Sequence, residues 1–254
     1  MILGIGIGNT NIRCAIGTKG DYRQVFLSTE KIFRAEDFIC FLEEHFQADI
    51  WRFLQGGIIS TVVPSKLPII KAAVNQKNKE LPLQMIDISK CNIDFSGYKG
   101  NLGEDRAVCC EAAVAKYKPP VVMVDLGTAT TINVINAERV FLGGAILTGV
   151  QTGLTALTRR TAQLPKVGEY QGAEVISDDT QKSLISGAVI GTAYALEGYI
   201  NQIRAELESE LTVVLTGGNA PIVMPYCSFG FAYEPALLID GLFTLYHKHR
   251  TLMV

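Results

Sequence analysis

The fold is decided by the stretch ILGIGIGNTN at residues 2–11, whose pattern returns as VVMVDLGTATT at residues 121–131. In both stretches an apolar run, typical of a buried strand, ends in a short polar turn that contains glycine. Further strand-like sequence follows at residues 12–16 and 131–135. Gly8 and Gly127 coincide at an offset of 119 positions, and Asn11 then coincides with Thr130. Self-similarity at a fixed offset predicts two half-chain units, each opening with strand, turn and strand.

Strand-like and helical patterns alternate through both halves of the chain. Alternation of this kind favours an α/β protein with mixed sheets. A Pro-Pro pair at residues 119–120 marks the predicted boundary, because the residue before a proline avoids helix. We therefore expect domains at residues 1–118 and 119–254. Helical periodicity predicts helices at 35–46, 65–75, 105–117, 151–160, 180–207 and 236–249, and strand patterns lie at 57–63, 83–88, 139–142 and 211–215.

Composition excludes several classes of protein. The 254 residues are 48% hydrophobic and 19% charged, which is ordinary for a globular protein. A net charge of −2 disfavours a general nucleic-acid binder, and no apolar run approaches the roughly 20 residues of a membrane span. The start of the sequence lacks the pattern of a secretory signal, so we expect a soluble cytoplasmic protein. The six cysteines have irregular spacings that suggest buried, reduced thiols rather than a zinc site or disulfides.

Three glycine- and hydroxyl-rich turns follow predicted strands, at residues 8–10, 127–130 and 216–218. Glycine lets the backbone approach a phosphate closely, and the N–H and hydroxyl groups then donate to its oxygens. One such turn alone would be an ordinary tight turn. Three such turns, two of them at equivalent points of a repeat, favour a nucleotide cleft between two half-domains. Neither a lysine-containing Walker loop nor the dinucleotide pattern Gly-x-Gly-x-x-Gly is present.

Two carboxylates stand where they could serve phosphate chemistry. Asp125 ends an apolar strand, where it could hold a cation beside a polyphosphate or simply cap its own turn. Asp105 and Arg106 begin a predicted helix. Asp105 could act as a base on a substrate hydroxyl while Arg106 binds a substrate carboxylate, or it could only stabilise the helix N-terminus. Phosphoryl transfer needs mainly positioning and charge neutralisation, so a site this sparse would suffice.

With these residues in place, the chain resembles the type III pantothenate kinases, members of the acetate and sugar kinase, Hsp70 and actin superfamily. The resemblance runs in the right order over nearly the whole chain. It is carried by GNT at 8–10, STVVP at 60–64, GEDR at 103–106, VDLGTATT at 124–131, GGAI at 143–146, TAQLPKV at 161–167 and TGG at 216–218.

The resemblance implies two ribonuclease-H-like (actin-like) half-domains with mixed sheets flanking an ATP cleft. It implies ATP-dependent phosphorylation of pantothenate to 4'-phosphopantothenate, the first step of coenzyme A biosynthesis. It further implies a homodimer that requires Mg²⁺ and a monovalent cation, K⁺ or NH₄⁺.

The family's functional positions carry over residue by residue. Asp105 matches the catalytic base, and Asp125 matches the monovalent-cation ligand. Thr180 matches a threonine that reaches pantothenate across the dimer interface, and Tyr98, Gly103, Glu104, Asp105 and Arg106 match the rest of the substrate pocket. The implied ATP contacts are Gly6, Gly8, Asn9, Thr10, Asn11, Gly127, Thr128, Thr130, Gly217 and Gly218.

The chain departs from the family pattern at three residues and in one spacing, because the interval from Tyr98 to Gly103 is shorter than in the family. Gly6 stands where the family has its opening aspartate, Asn133 where it usually has aspartate, and Thr148 where it has proline. A missing carboxylate beside the metal leaves two alternatives open. One is a family member that binds nucleotide and has a regulatory rather than a catalytic role, and the other is a kinase for a different small hydroxy acid.

Overall fold

The computed structural model describes residues 1–47 and 49–251, with side chains up to residue 248. The chain forms two compact units. The first contains residues 1–93, residues 99–115 and the described residues from Ala236 onward, and the second contains residues 94–98 and 116–235. The domain boundary after residue 118 stays a prediction.

The first unit is built on a five-stranded mixed sheet. Its order is β3-β2-β1-β4-β5, with β1 antiparallel to β2, β2 antiparallel to β3, and β1, β4 and β5 parallel. The strands are β1 (Ile2–Ile7), β2 (Asn11–Thr18), β3 (Asp21–Ser28), β4 (Gly57–Thr61) and β5 (Leu83–Met85).

The second unit repeats this arrangement. Its order is β8-β7-β6-β9-β10, with β8 antiparallel to β7, β7 antiparallel to β6, and β6, β9 and β10 parallel. In this order the strand directions match those of the first sheet position by position. The two sheets confirm the α/β class with mixed sheets that the sequence echo predicts. The strands are β6 (Val121–Leu126), β7 (Ala129–Ile135), β8 (Phe141–Thr148), β9 (Thr212–Thr216) and β10 (Ala232–Tyr233).

Helices cover the sheets within each unit, and the predicted helices are present with small shifts at their ends. Two prolines, Pro64 and Pro68, delay the second helix, so a short 3₁₀ turn comes before it. The helices are α1 (Ala35–Phe46), α2 (Leu67–Lys77), α3 (Glu104–Lys116), α4 (Val150–Arg160), α5 (Thr180–Leu207), α6 (Ala220–Val223) and α7 (Leu237–Thr251).

The two faces of β1 pack differently. Ile5 and its apolar neighbours at alternate positions share one buried cluster with α1 and α2. On the other face Gly4 and Gly6 lie against α7. A β-carbon at Gly4 would be 3.2 Å from Phe243, and one at Gly6 only 2.5 Å from Leu238 Cδ2. The missing side chains let α7 lie directly on the strand, which a larger residue would prevent.

Several features of the fold differ from expectation. Strands β3 and β10 and helix α6 are additional to the predicted elements, and β5 ends at Met85, before the predicted end at residue 88. Strand β8 runs to Thr148, well beyond the predicted strand at residues 139–142. It passes through Gly143 and Gly144 at positive φ, and glycines carry no side chain that could reveal a strand pattern. Cys40 is exposed, and Cys91 and Cys227 are partly exposed, so the expectation of buried thiols is wrong for these three. The six cysteines, all among the described residues, form no disulfide. Across the described chain, no helix has both the length and the apolar character to cross a membrane.

Candidate active site

The first glycine turn, in the first unit, is held from beneath and leaves its side chains exposed. The Gly8 N–H donates to the Asn11 carbonyl at 3.0 Å, and Thr29 braces both sides of the turn. The Thr29 hydroxyl donates to the Gly8 carbonyl at 2.7 Å, while its N–H donates to the Thr10 carbonyl at 2.9 Å. Asn9, Thr10 and Asn11 are exposed. The turn therefore presents polar groups on a fixed backbone.

The start of α3 is tied to the strand that carries this turn. The Glu104 carboxylate accepts a hydrogen bond from the Thr61 N–H at 2.7 Å. Thr61 pairs in parallel with Ile7, and the Val62 N–H donates to the Ile7 carbonyl at 3.0 Å. The end of β4 thus connects the last residue of β1 with the first turn of α3. The structure brings the predicted residues 103–106 close to the strand end from which the first glycine turn departs.

Asp105 lies in the first turn of α3 with its carboxylate half-buried. Desolvation raises its pKa, against the opposing effects of a hydrogen bond from the Arg106 N–H at 2.8 Å and of the charges of Arg106 and Arg13. Burial likewise raises the pKa of Glu104, and the hydrogen bond from Thr61 opposes the shift. A carboxylate whose pKa moves up toward neutral pH is a stronger general base than an exposed one. Asp105 therefore has the surroundings of a base.

Gly103 leaves the room that this carboxylate occupies. A β-carbon at position 103 would lie 2.7 Å from Asp105 Oδ1 and 3.8 Å from a methyl group of Val62. Arg106 follows as a buried residue of α3, only 8% exposed. A side chain at position 103 would push the carboxylate aside, so the glycine leaves room for the observed position of Asp105.

The second glycine turn, in the second unit, is one residue shorter than the first. Leu126 pairs with Thr130, and the Gly127 N–H donates to the Ala129 carbonyl at 3.1 Å, whereas Ile7 pairs with Ile12. The offset of 119 positions equates Thr130 with Asn11, but the strand pairing equates it with Ile12. Thr130 is accordingly fully buried, while Thr128 at the tip of the turn is exposed.

Residues outside the predicted set hold this second turn. The Asn219 side chain donates to the Gly127 carbonyl at 2.9 Å, and its N–H donates to the Leu126 carbonyl at 2.8 Å. The Thr152 hydroxyl donates to the Thr128 carbonyl at 2.7 Å. Asn219 directly follows the TGG motif, which is a local signal for it. Thr152 has no such signal, because it reaches the turn only through the folding of α4.

Asp125 sits in a cradle formed by two glycines. A β-carbon at Gly217 would collide with Asp125 Oδ1 and the Leu126 backbone, and one at Gly127 would lie 3.3 Å from the same oxygen. Thr216 pairs with Asp125 on the next strand, and its buried hydroxyl has no hydrogen-bond partner among the residues the structure describes. Carboxylate, hydroxyl and backbone oxygens are hard donors that suit a cation such as K⁺. This oxygen set fits a monovalent cation.

A protein-held divalent cation fits poorly. Within the described ranges, no three His, Cys, Asp or Glu side chains form a group that could hold a metal ion. Position 6 offers no carboxylate, and Leu238 fills the space beside it. Magnesium would therefore reach the protein as part of its complex with ATP, that is, as substrate.

The other predicted residues have clear local settings in the second unit. The Tyr98 ring packs edge-on against Phe141 at 5.2 Å between centroids. Thr180 is the exposed first residue of α5, directly after Asp179, whose carboxylate accepts the Lys182 N–H at 3.0 Å. Asn133 is fully buried, and its side chain donates to the Met123 carbonyl at 3.2 Å and to the Thr131 hydroxyl at 3.0 Å. Asn133 thus joins β6 to β7.

Solved structures show which fold the chain shares. The chain matches a putative Baf family transcriptional activator from Campylobacter jejuni with a TM-score of 0.61, 21% identity, and coverage of 98% of this chain and 99% of that one. A putative 2-dehydro-3-deoxygalactonokinase from Sinorhizobium meliloti matches with a TM-score of 0.55, 13% identity, and coverage of 99% and 97%. The two mixed sheets and these likenesses place the chain among the actin-like folds of the sugar kinases.

Sequence comparison defines the family. The model of the type III pantothenate kinases matches residues 2–202. The type III pantothenate kinase of Roseiflexus sp. (strain RS-1) is 32% identical, over 99% of this chain and 100% of the relative. That of Thermomicrobium roseum is 30% identical, over 99% of both chains. The chain belongs to the type III pantothenate kinase family.

Proposed function

We propose that the chain transfers the γ-phosphoryl group of ATP to the hydroxyl of pantothenate, forming 4'-phosphopantothenate and ADP in the first step of coenzyme A biosynthesis. The observation that carries this proposal is Asp105, a half-buried carboxylate with a raised pKa at the start of α3. It stands in a chain that matches type III pantothenate kinases over nearly its whole length. No observation favours the regulatory role or a different hydroxy acid.

Asp105 acts as the base in this mechanism. The pantothenate hydroxyl oxygen attacks the γ-phosphorus, its proton passes to Asp105, and the bond from phosphorus to the bridging oxygen breaks to release ADP. The Arg106 guanidinium binds the pantothenate carboxylate, because a planar fork of donors matches a carboxylate. Gly103 and Glu104 line the pocket, together with Tyr98 and Thr180.

The glycine turns bind ATP. Asn9, Thr10 and Asn11 donate from the first turn and Thr128 donates from the second. Gly8 and Gly127 have no side chain, so the backbone of each turn can approach the phosphates closely. The exposure of these side chains and the open space beside Gly218 support these assignments. Gly217 contributes its backbone next to Gly218. Gly6 and Thr130 are packed inside their units, so they position the strands behind the turns.

Asp125 holds the monovalent cation, K⁺ or NH₄⁺, with help from the Thr216 hydroxyl. A cation there supplies positive charge for the phosphates. The buried hydroxyl and the glycine cradle around the carboxylate support this assignment. Mg²⁺ enters with ATP as its complex.

We further propose that the chain forms a homodimer through the outer face of α5 and the loop before it, and that it works in the cytoplasm. Large apolar side chains are exposed there, with Ile176 89% and Tyr194 54% accessible. No atom lies near the positions that β-carbons would take at Gly187 and Gly191. Such an apolar surface is typical of an interface. Light scattering should give twice the mass of one chain, and a monomer would contradict this part of the proposal.

The test is an assay of ADP release by the purified chain with ATP, Mg²⁺, K⁺ and pantothenate. Release should depend on pantothenate. Asp105→Asn should lower kcat by about 10²-fold or more, because the variant cannot accept the proton. ATP binding should be retained.

Asp21→Asn is the matched control, since Asp21 is an exposed residue of the same unit. It should keep wild-type turnover. Release of ADP that ignores pantothenate would contradict the proposed substrate, and an active Asp105→Asn variant would contradict the base.

A further inference from the structure

The register of the first sheet places Arg13 directly opposite Gly6. Side chains that face each other across an antiparallel pair lie on the same side of the sheet. Position 6 faces α7, where Leu238 fills the space, so Arg13 projects from that same side. Strands β1 and β2, which flank the first glycine turn, therefore carry an arginine and no carboxylate at this pair of positions.

Arg13 is half-buried, and the hydrogen bonds and ion pairs of the described residues include none made by its side chain. Its charge nevertheless acts on Asp105, where it opposes part of the rise in pKa that desolvation causes. A guanidinium carries five N–H donors and no acceptor. Arg13 is thus a donor-rich cation close enough to the proposed base to affect it, with its hydrogen-bonding capacity unused. Arg106, the other arginine that acts on Asp105, is the residue proposed to bind the pantothenate carboxylate.

Phosphoryl transfer requires positive charge at this point. The phosphates of ATP are strongly anionic, and Glu104 and Asp105 add two carboxylates close by. Kinases stabilise the transferred group with metal ions, lysine or arginine. In the part of the chain that the structure describes, no three His, Cys, Asp or Glu side chains form a group that could hold a metal ion. A carboxylate with a divalent cation would contribute a net single positive charge, and a glycine with an arginine contributes the same.

We propose that Arg13 is a further catalytic residue, whose guanidinium binds an oxygen of the γ-phosphoryl group beside Asp105 and stabilises the negative charge of the transition state. The proposal rests on the proposed kinase function. Gly6 has no carboxylate that could bind a metal ion. The positive charge beside the γ-phosphoryl group therefore comes from Arg13 of β2. Arg13 forms no bond to phosphorus, and no proton leaves it.

The first experiment is a binding measurement that needs no turnover. Arg13→Gln should weaken the binding of ATP by about tenfold or more, since a hydrogen bond to a charged group is lost. The affinity for ADP, which lacks the γ-phosphoryl group, should change less than about twofold. Arg52→Gln, an exposed arginine of the same unit, is the control and should bind both nucleotides as the wild type does. Unchanged ATP affinity in Arg13→Gln would overturn the proposal.

The second experiment is kinetic. Arg13→Ala should lower kcat by about 10²- to 10³-fold, as the loss of a donor to transition-state charge does elsewhere. The KM for pantothenate should stay within about twofold. Added guanidinium should restore at least tenfold of the lost rate, an effect that a structural role would not produce. Loss of rate without rescue, together with a lowered melting temperature, would assign Arg13 to stability instead.

The two proposals fail in distinguishable ways. If the wild type binds ATP more tightly than ADP, and Arg13→Gln removes that difference, the role of Arg13 stands even when pantothenate gives no turnover. If pantothenate is phosphorylated and Arg13→Ala keeps the wild-type rate, the kinase function stands and the role of Arg13 falls.

Discussion

Leu238 fills the space beside Gly6, so a residue that is distant in sequence decides what position 6 can hold. The β-carbon of any larger residue there would lie 2.5 Å from Leu238 Cδ2 and 3.9 Å from the Ser60 hydroxyl oxygen. An aspartate at position 6 would also bury a charge against an apolar side chain. The glycine and the leucine are therefore one packing arrangement, and restoring the carboxylate alone would disturb it.

We expect Gly6→Asp to lower the free energy of unfolding by about 2 kcal/mol or more, from overpacking and an unpaired buried charge. Leu238→Ala opens the same space and should by itself cost about 2–4 kcal/mol. The double variant should be more stable than the sum predicts by about 1 kcal/mol or more, because the cavity accepts the new side chain. Urea unfolding of the three variants measures this coupling.

Gly97→Asp serves as the control, because nothing lies within 4 Å of the β-carbon it would add. Its free energy of unfolding should stay within about 0.5 kcal/mol of the wild-type value. Strictly additive effects of the two substitutions at positions 6 and 238 would show that the two residues do not share one space.

Among elements, α3 links the candidate base to the C-terminal helix. Glu111, two turns after Asp105, is fully buried and accepts the Asn92 N–H at 2.8 Å. Lys248 of α7 donates to the same carboxylate. The buried Glu111 carboxylate depends on both of these donors. Because Lys248 belongs to α7, that helix helps to hold α3, which carries Asp105.

Lys248→Met should lower the free energy of unfolding by about 3 kcal/mol, because it leaves the Glu111 charge buried with one donor fewer. Lys77→Met is the matched control. Its partner Glu43 is partly exposed, so that loss should be at most about 1 kcal/mol. Equal effects in urea unfolding would mean that the Glu111 pair is no stronger than a surface pair.

Elements with a regular pattern could be predicted from the sequence, and those without one could not. Helices α1 and α5 have the predicted bounds, because their apolar residues recur at helical spacing. Strand β3 is an edge strand with an exposed Phe26, so its sequence shows no clean alternation. The same distinction applies to the residues of the candidate site. Local motifs gave the turns and Asp105, whereas Arg13 opposite Gly6 and Leu238 against it depend on pairing and packing between distant residues.

At the scale of the whole molecule, the sequence echo predicts one topology used twice, but it does not predict how the chain connects the two units. The chain passes between the units after residues 93, 98, 115 and 235, so the first unit is assembled from three separate segments. Helix α7 follows the entire second unit in sequence but packs on β1, β2 and β4. The first unit is therefore incomplete without it.

Removing the residues after Pro235 should unfold the first unit, since Gly4 and Gly6 would lose the helix that covers them. Trp51 is the one tryptophan in the sequence, lies in the first unit and is 4% exposed, so it reports on that unit alone. Its emission in the truncated chain should shift to the wavelength of the full chain in urea. An unshifted emission maximum would show that β1–β5 with α1–α3 fold without α7.

The position of α7 also sets an order of events during translation. The strands of the first sheet leave the ribosome long before α7 is made, so one face of that sheet stays bare while the whole second unit is synthesised. An uncovered apolar surface on a nascent chain is prone to aggregation and is a binding site for chaperones. The helix that carries Asp105 gains its contact with α7, through Lys248 and Glu111, only once α7 has emerged and docked.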